Sequence, residues 1–208
     1  FLVQYDIRSK YAMRAYQRWG SGAVDMIAAN PYLLCSHGID LEFQKADAMA
    51  QGMDFSPSCR QRIQAGMVYI LNYNANSGYT CLPLDKLREK VSAYLQIAVA
   101  DFDAAYAELL DEHDIYAYDK GGRTFVYLED YYIAEQYIAD RVGVILDFSA
   151  PETREDWNQL IDEQESQNGM RYADLQREAI NTALSRSMMI LTGGPGTGKT
   201  TTLNAIIR

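Results

Sequence analysis

The chain has 208 residues, 48% of them apolar, and a formal net charge of −9. This length carries one or two domains, the apolar share excludes a disordered chain, and the acidic balance excludes a surface that coats nucleic acid everywhere. The charge is uneven. Residues 101–175 hold 5 Lys/Arg against 19 Asp/Glu, a local charge of −14, so the remainder sums to +5. Nucleic-acid contact is therefore expected mainly outside that segment. Cys35, Cys59 and Cys81 are widely spaced and form no C-x-x-C pair, which suggests neither a zinc site nor a disulfide framework. Such thiols fit a cytoplasmic location. Phe1-Leu2-Val3 is followed by polar residues, so no signal peptide is visible, and no apolar run approaches the roughly 18 residues of a membrane span. The isolated His37 and His113 read as surface residues.

The first 53 residues read as short helices joined by tight turns. Tyr11, Ala12, Ala15, Tyr16 and Trp19 share one face of a helix over 9–19. Lys10, Arg14 and Arg18 recur at i, i+4 and form a basic stripe, the candidate contact for DNA phosphates. Gly20-Ser21-Gly22 breaks this helix. A second, over 23–29, ends at Asn30-Pro31, because a residue before proline avoids the helical region. Pro31 opens a brief helical turn over 32–35. Gly38 to Glu42 is a hairpin, and Phe43 to Gln51 is the next helix, with Phe43, Ala46 and Ala50 inward.

Residues 54–148 read as a winged-helix-like α+β unit. A helix from Ser56-Pro57 to about Asn74 carries Ile63, Met67, Ile70 and Leu71 on its inner stripe. Thr80-Cys81-Leu82 is extended. A helix over 84–95 follows, then one over 101–112 capped by Asp101. Ile115 to Tyr118 and Thr124 to Leu128 alternate at period two around the turn Asp119-Lys120-Gly121-Gly122-Arg123, a β-hairpin. Three helices and a hairpin is the winged-helix order, but the helix before the wing is acidic and cannot approach phosphates. Lys120 and Arg123 at the wing tip are the remaining candidates there.

A helix over 131–146 has Ala134, Tyr137, Ile138, Val142 and Ile145 on one side. Ser149-Ala150-Pro151 breaks it. Residues 149–171 read as a connector with a polar, exposed helix from Trp157 to about Gln167, ended by Gly169. From 172 on, the pattern changes. A helix over 175–185 precedes Met188-Met189-Ile190-Leu191-Thr192, a short apolar run with the character of a buried parallel strand. Gly193-Gly194-Pro195-Gly196-Thr197-Gly198-Lys199-Thr200 then fits G-x-x-x-x-G-K-[ST], and Thr201 to Ile207 continues as a helix.

Strand, glycine loop and helix together make a phosphate cradle. Glycines let several backbone N–H groups converge on one phosphate, and the positive end of the helix dipole faces the same point. Lys199 is expected to reach the β- and γ-phosphates and Thr200 to place its hydroxyl on Mg²⁺. These two are the candidate catalytic residues. ATP with Mg²⁺ is the expected ligand, held by Gly194, Pro195, Gly196, Thr197, Gly198, Lys199, Thr200 and Thr201. The fold class expected is mainly α: a helix-hairpin-helix tandem, the winged-helix-like unit, and the first βα unit of a RecA-like α/β motor domain. Since one such unit cannot build a parallel sheet alone, the chain reads as part of a longer motor protein, inactive by itself.

Tyr16-Gln17-Arg18-Trp19-Gly20, Asn30-Pro31-Tyr32-Leu33-Leu34 and Phe43-Gln44-Lys45-Ala46-Asp47-Ala48-Met49-Ala50 resemble the helix-hairpin-helix region of RecD/TraA-type DNA helicases. Where that family usually shows Gly-Ile-Gly-Phe, this chain has Asp40-Leu41-Glu42-Phe43. A carboxylate at the tip repels phosphate, so this hairpin is expected to be scaffold. Gln176, seventeen residues before Gly193, resembles the adenine-reading glutamine of superfamily 1 helicases, whose amide matches adenine N7 and N6. The resemblance implies ATP-driven 5′–3′ translocation on single-stranded or forked DNA, strand separation in repair or recombination, and nuclease or repair proteins as partners. An AAA-type repair ATPase without unwinding, and a non-catalytic DNA- or protein-binding module, are the alternative readings.

Overall fold

The computed structural model describes residues 1–148 and 157–207 and divides into two compact units, Phe1–Ala134 and Glu135–Arg208. The break expected at 149–151 and the first part of the expected connector lie outside the described residues.

In the first unit, α1 (Ser9–Trp19) and α2 (Ala23–Ala29) are joined by a glycine-rich 3-10 turn. Asn30 turns the chain by accepting the Tyr32 N–H on its side-chain oxygen at 3.1 Å, and Pro31 opens the next 3-10 turn. α3 (Phe43–Gly52) and α4 (Arg60–Ala75) follow. α4 starts later than Ser56-Pro57 suggested, because Ser56 to Ser58 form a turn of their own and Cys59 takes the N-cap position. Next come β1 (Cys81–Pro83), α5 (Leu84–Leu95) and α6 (Val99–Asp111). Ala98, not Asp101, precedes the first residue of α6, so the expected Asp101 cap is instead a first-turn acid favourable to the helix dipole.

β2 (Ile115–Lys120) and β3 (Arg123–Leu128) form the expected hairpin. β1 adds to its other edge, giving an antiparallel sheet of order β1-β3-β2, with Leu82 opposite Val126. Leu82, Ile115 and Val126 are buried on one face of this sheet. They join Ile63, Met67, Leu87, Val91 and Phe102 from the helices in a core continuous with Ile27, Leu34 and Ala46 of the N-terminal turns. α4 is the central element, packed against α3, α5, α6 and the sheet.

α7 (Glu129–Phe148) extends the helix anticipated over 131–146. Its apolar side is not an inner one: Tyr137, Ile138 and Ile145 stay exposed. In the second unit, α8 (Trp157–Asn168), α9 (Asp174–Ser185) and α10 (Lys199–Ile207) enclose a small core of Ile161, Tyr172, Ile180 and Ala205. α8 is mostly exposed, as its polarity suggested, but it buries Ile161 and partly covers Glu165. Glu165 is largely covered, accepting the Tyr172 N–H at 2.8 Å and pairing with Arg177 at 3.0 Å.

The run Met188 to Thr192 forms no strand, and Ile190 is 82% exposed. A parallel strand exists only by exchanging hydrogen bonds with neighbours, and no described strand pairs with it. Among the described residues, no helix is long and apolar enough to cross a membrane.

Candidate functional site

The phosphate loop lies between the extended run and α10. Gly196 and Gly198 take positive φ of 76° and 80°, the left-handed region that a side chain makes costly. Gly193 and Gly198 answer a second demand, close approach. A Cβ at Gly193 would sit 2.7 Å from Thr197 Oγ1, and one at Gly198 would collide with the Gln176 amide. Thr197 Oγ1 donates to Gly194 O at 2.9 Å and braces the turn.

α10 starts where the loop ends. Its first internal bond is Thr202 N–H to Gly198 O at 3.0 Å, so the N–H groups of Lys199, Thr200 and Thr201 lie in the first turn, where no intrahelical acceptor exists. Thr202 is buried and also donates its hydroxyl to Gly198 O at 3.2 Å, fixing the helix to the loop. The motif gives no signal for Thr202; its position one turn after Gly198 is the clue. Thr200 and Thr201 are more open, so their hydroxyls are accessible to a ligand.

Lys199 Nζ donates to Gly193 O at 2.6 Å and Gly194 O at 2.7 Å. The ammonium thus lies over the loop itself, ready to exchange carbonyl acceptors for a stronger anionic one. Gln176 lies at the start of α9. Its Oε1 accepts the Ala173 N–H at 2.9 Å and its Nε2 points to Thr197 O at 3.4 Å. The glutamine singled out in the sequence and the glycine loop, separated along the chain, meet in space. Arg177 beside it holds Asp162 at 2.6 Å and Glu165 of α8, so α8 positions α9 and thereby Gln176. The donor set — glycine N–H groups, one ammonium, one open hydroxyl — fits a nucleotide triphosphate with its magnesium ion.

The basic stripe has a different setting. Arg14 Nη1 donates to Ile39 O at 2.8 Å and reaches Asp40 at 3.4 Å, and Arg18 Nη1 donates to His37 O at 2.6 Å. Both staple the 36–42 turn onto α1. Lys10 lies over the Tyr11 ring at 4.7 Å. Asp40 occupies φ +60°, a glycine-like conformation that aspartate tolerates, and its carboxylate accepts the Gly38 N–H at 3.1 Å. Ile39 and Leu41 beside it are buried. The acidic substitutions in the hairpin are thus accommodated by local bonding and by Arg14.

Sequence reasoning missed the polar centre beneath that hairpin. Asp47 and Arg62 form a two-pronged pair at 2.8 and 3.1 Å, and the side chains are only 13% and 12% exposed. Tyr32 donates to Asp47 at 2.7 Å. Burial raises the Asp47 pKa, but the Arg62 and Tyr32 hydrogen bonds outweigh it and hold the carboxyl below its ordinary value. Burial and Asp47 push the Cys35 thiol up to about 12.

Short helices joined by tight turns, followed by a glycine loop that opens a helix, are the arrangement these observations define. Residues 1–81 match the ATP-dependent RecD2 DNA helicase HHH domain, and residues 176–208 match the AAA domain family. The RecBCD enzyme subunit RecD of Mycolicibacterium smegmatis is 34% identical over 82 residues, covering 39% of this chain and 13% of that protein. The ATP-dependent RecD2 DNA helicase of Deinococcus radiodurans is 24% identical over 208 aligned residues, 94% of this chain and 28% of that protein. The chain is thus similar to the N-terminal region of RecD-type helicases, and it spans less than a third of the length of either relative.

Proposed function

We propose that this chain supplies the nucleotide-gripping half-site and the N-terminal domain of an ATP-dependent 5′–3′ DNA helicase. The observation that carries the reading is the contact of Gln176 with the Thr197–Gly198 segment in a chain whose first 81 residues match a RecD2 helicase domain. In this reading the N–H groups at the start of α10 and the Lys199 ammonium bind the triphosphate, and Thr200 holds the magnesium ion. That ion neutralises phosphate charge during transfer. Gly194, Pro195, Gly196, Thr197, Gly198 and Thr201 complete the cradle. Gln176 reads adenine after its amide leaves the Ala173 N–H and the Thr197 carbonyl.

Single-stranded or forked DNA is the proposed polymer substrate. Lys10, with the outward N–H groups of Arg14 and Arg18, is the proposed phosphate contact of α1. The name of the mycobacterial relative describes a subunit of a larger enzyme, and a repair or nuclease partner is the matching proposal here. The complete protein with Lys199→Ala tests the motor. It should lose ATP turnover and unwinding while DNA binding persists, because Lys199 grips the nucleotide and not the DNA. Unwinding near the unmodified rate would show that this loop is not the motor site.

A further inference from the structure

The outward face of the wing sheet is built from aromatic side chains. The register sets Tyr116 opposite Tyr127 and Tyr118 opposite Phe125, while Ile115 and Val126, at the intervening positions, are buried. Because side chains alternate across a strand, the four rings share the face turned away from the core. Tyr132 of α7 extends it, stacked on Tyr116 with ring centroids 4.7 Å apart. Tyr118 is 44% exposed, while Tyr116, Phe125, Tyr127 and Tyr132 are partly covered and present only part of each ring.

The same alternation puts Lys120 and Arg123, the last pair of the hairpin, on this face at its tip. Arg123 lies 3.7 Å from Asp85, a loose exposed pair that an anion can replace. Asp119 belongs to the opposite face, where it accepts the Thr124 hydroxyl. Asp114, Glu129 and Asp130 mark the other end of the hairpin. The face therefore runs from a cationic tip across rings to an acidic base, within a segment that is otherwise acidic.

The geometry points to this face as a stacking platform for single-stranded nucleic acid: bases lie on Tyr118 and its neighbours, and phosphates pass the Lys120–Arg123 tip. Aromatic faces beside cations are how proteins hold single strands without reading sequence. The identity of the occupant rests on the helicase reading; the platform itself rests on register and exposure. It also differs in kind from the α1 stripe, which touches phosphates only and cannot sense bases.

That difference supplies the test. The complete chain is titrated with a labelled oligothymidine of about 12 nucleotides and with an abasic strand of equal length. Tyr118→Ala should weaken oligothymidine binding by about tenfold, Tyr118→Trp should retain it, and the abasic strand should bind weakly and ignore both changes. Lys120→Glu with Arg123→Glu should weaken both strands. Equal binding of the two strands, or oligothymidine binding unmoved by Tyr118→Ala, overturns the platform, as does loss of a protein partner in place of DNA. Binding of a fluorescent ATP analogue is followed in the same proteins and in Lys199→Ala. Lysine-dependent analogue binding without base-dependent DNA binding sinks the platform alone; the reverse result sinks the motor reading alone.

Discussion

Asp47 and Arg62 are the residues on which the first unit's polar interior depends. Each is nearly covered, and each satisfies the other's charge with paired hydrogen bonds. Removing one partner leaves an uncompensated charge, so Arg62→Ala should cost about 3 kcal/mol in urea unfolding. The pH dependence has a definite sign. The folded Asp47 pKa lies below its unfolded value, so its contribution is present above about pH 4 and is lost as pH falls through the folded pKa. Asp47→Asn should flatten the acid limb of a stability-versus-pH curve; an unchanged acid limb would mean that other carboxylates govern it. Gly198 is the corresponding residue of the second unit. Gly198→Ala meets both a positive φ and the Gln176 amide, and should abolish binding of an ATP analogue while circular dichroism of residues 1–134 is unaffected.

Among the elements, α8 and α1 have roles that polarity alone concealed. α8 fixes α9 through Ile161 packed with Ile180 and through Arg177 bound to Asp162 and Glu165. Ile161→Ala removes a fully buried side chain, worth about 2–5 kcal/mol. Hydrogen exchange should then accelerate across α8 and α9 and stay unchanged in the first unit. In α1, changing Lys10, Arg14 and Arg18 to Glu should lower the salt dependence of DNA binding, because each lost phosphate contact reduces the slope by roughly one. Since Arg14 and Arg18 also hold the 36–42 turn, the triple variant should unfold more easily. Lys10→Glu alone should weaken DNA binding without that loss, which separates the two roles.

At the scale of the whole molecule, the glycine loop and the start of α10 are the half-site of the motor proposed above. Among the described residues, no group of three or more His, Cys, Asp or Glu is placed to hold a metal ion, and no strand pairs with the 188–192 run. On the proposed function, the isolated chain should bind an ATP analogue yet show no steady phosphate release above a Lys199→Ala control. Release clearly above that control would mean the chain carries a complete hydrolytic site.

Local chemistry was enough to read most of the elements from the sequence. Asn30-Pro31 had to end a helix, Asp119 to Arg123 had to turn a hairpin, and the glycines of the 193–198 loop had to turn the chain into a new helix, because each depends on backbone sterics within a few residues. Contacts between distant segments were not legible in this way. The i, i+4 stripe of α1 gives no sign that Arg14 and Arg18 also hold the Ile39 and His37 carbonyls. The polar letters of α8 read as solvent-facing until Arg177 and Tyr172 cover Glu165. Periodicity shows which residues share a face, and the partner across that face is set by tertiary packing alone. Hence the sequence by itself determined the loop, the turns and the helix order of this protein. Only the tertiary structure decided that Asp47 and Arg62 form its buried pair, that Gln176 rests on the glycine loop, and that Ile138 of α7 and Ile190 stay exposed, since burial requires a second surface that no single segment encodes.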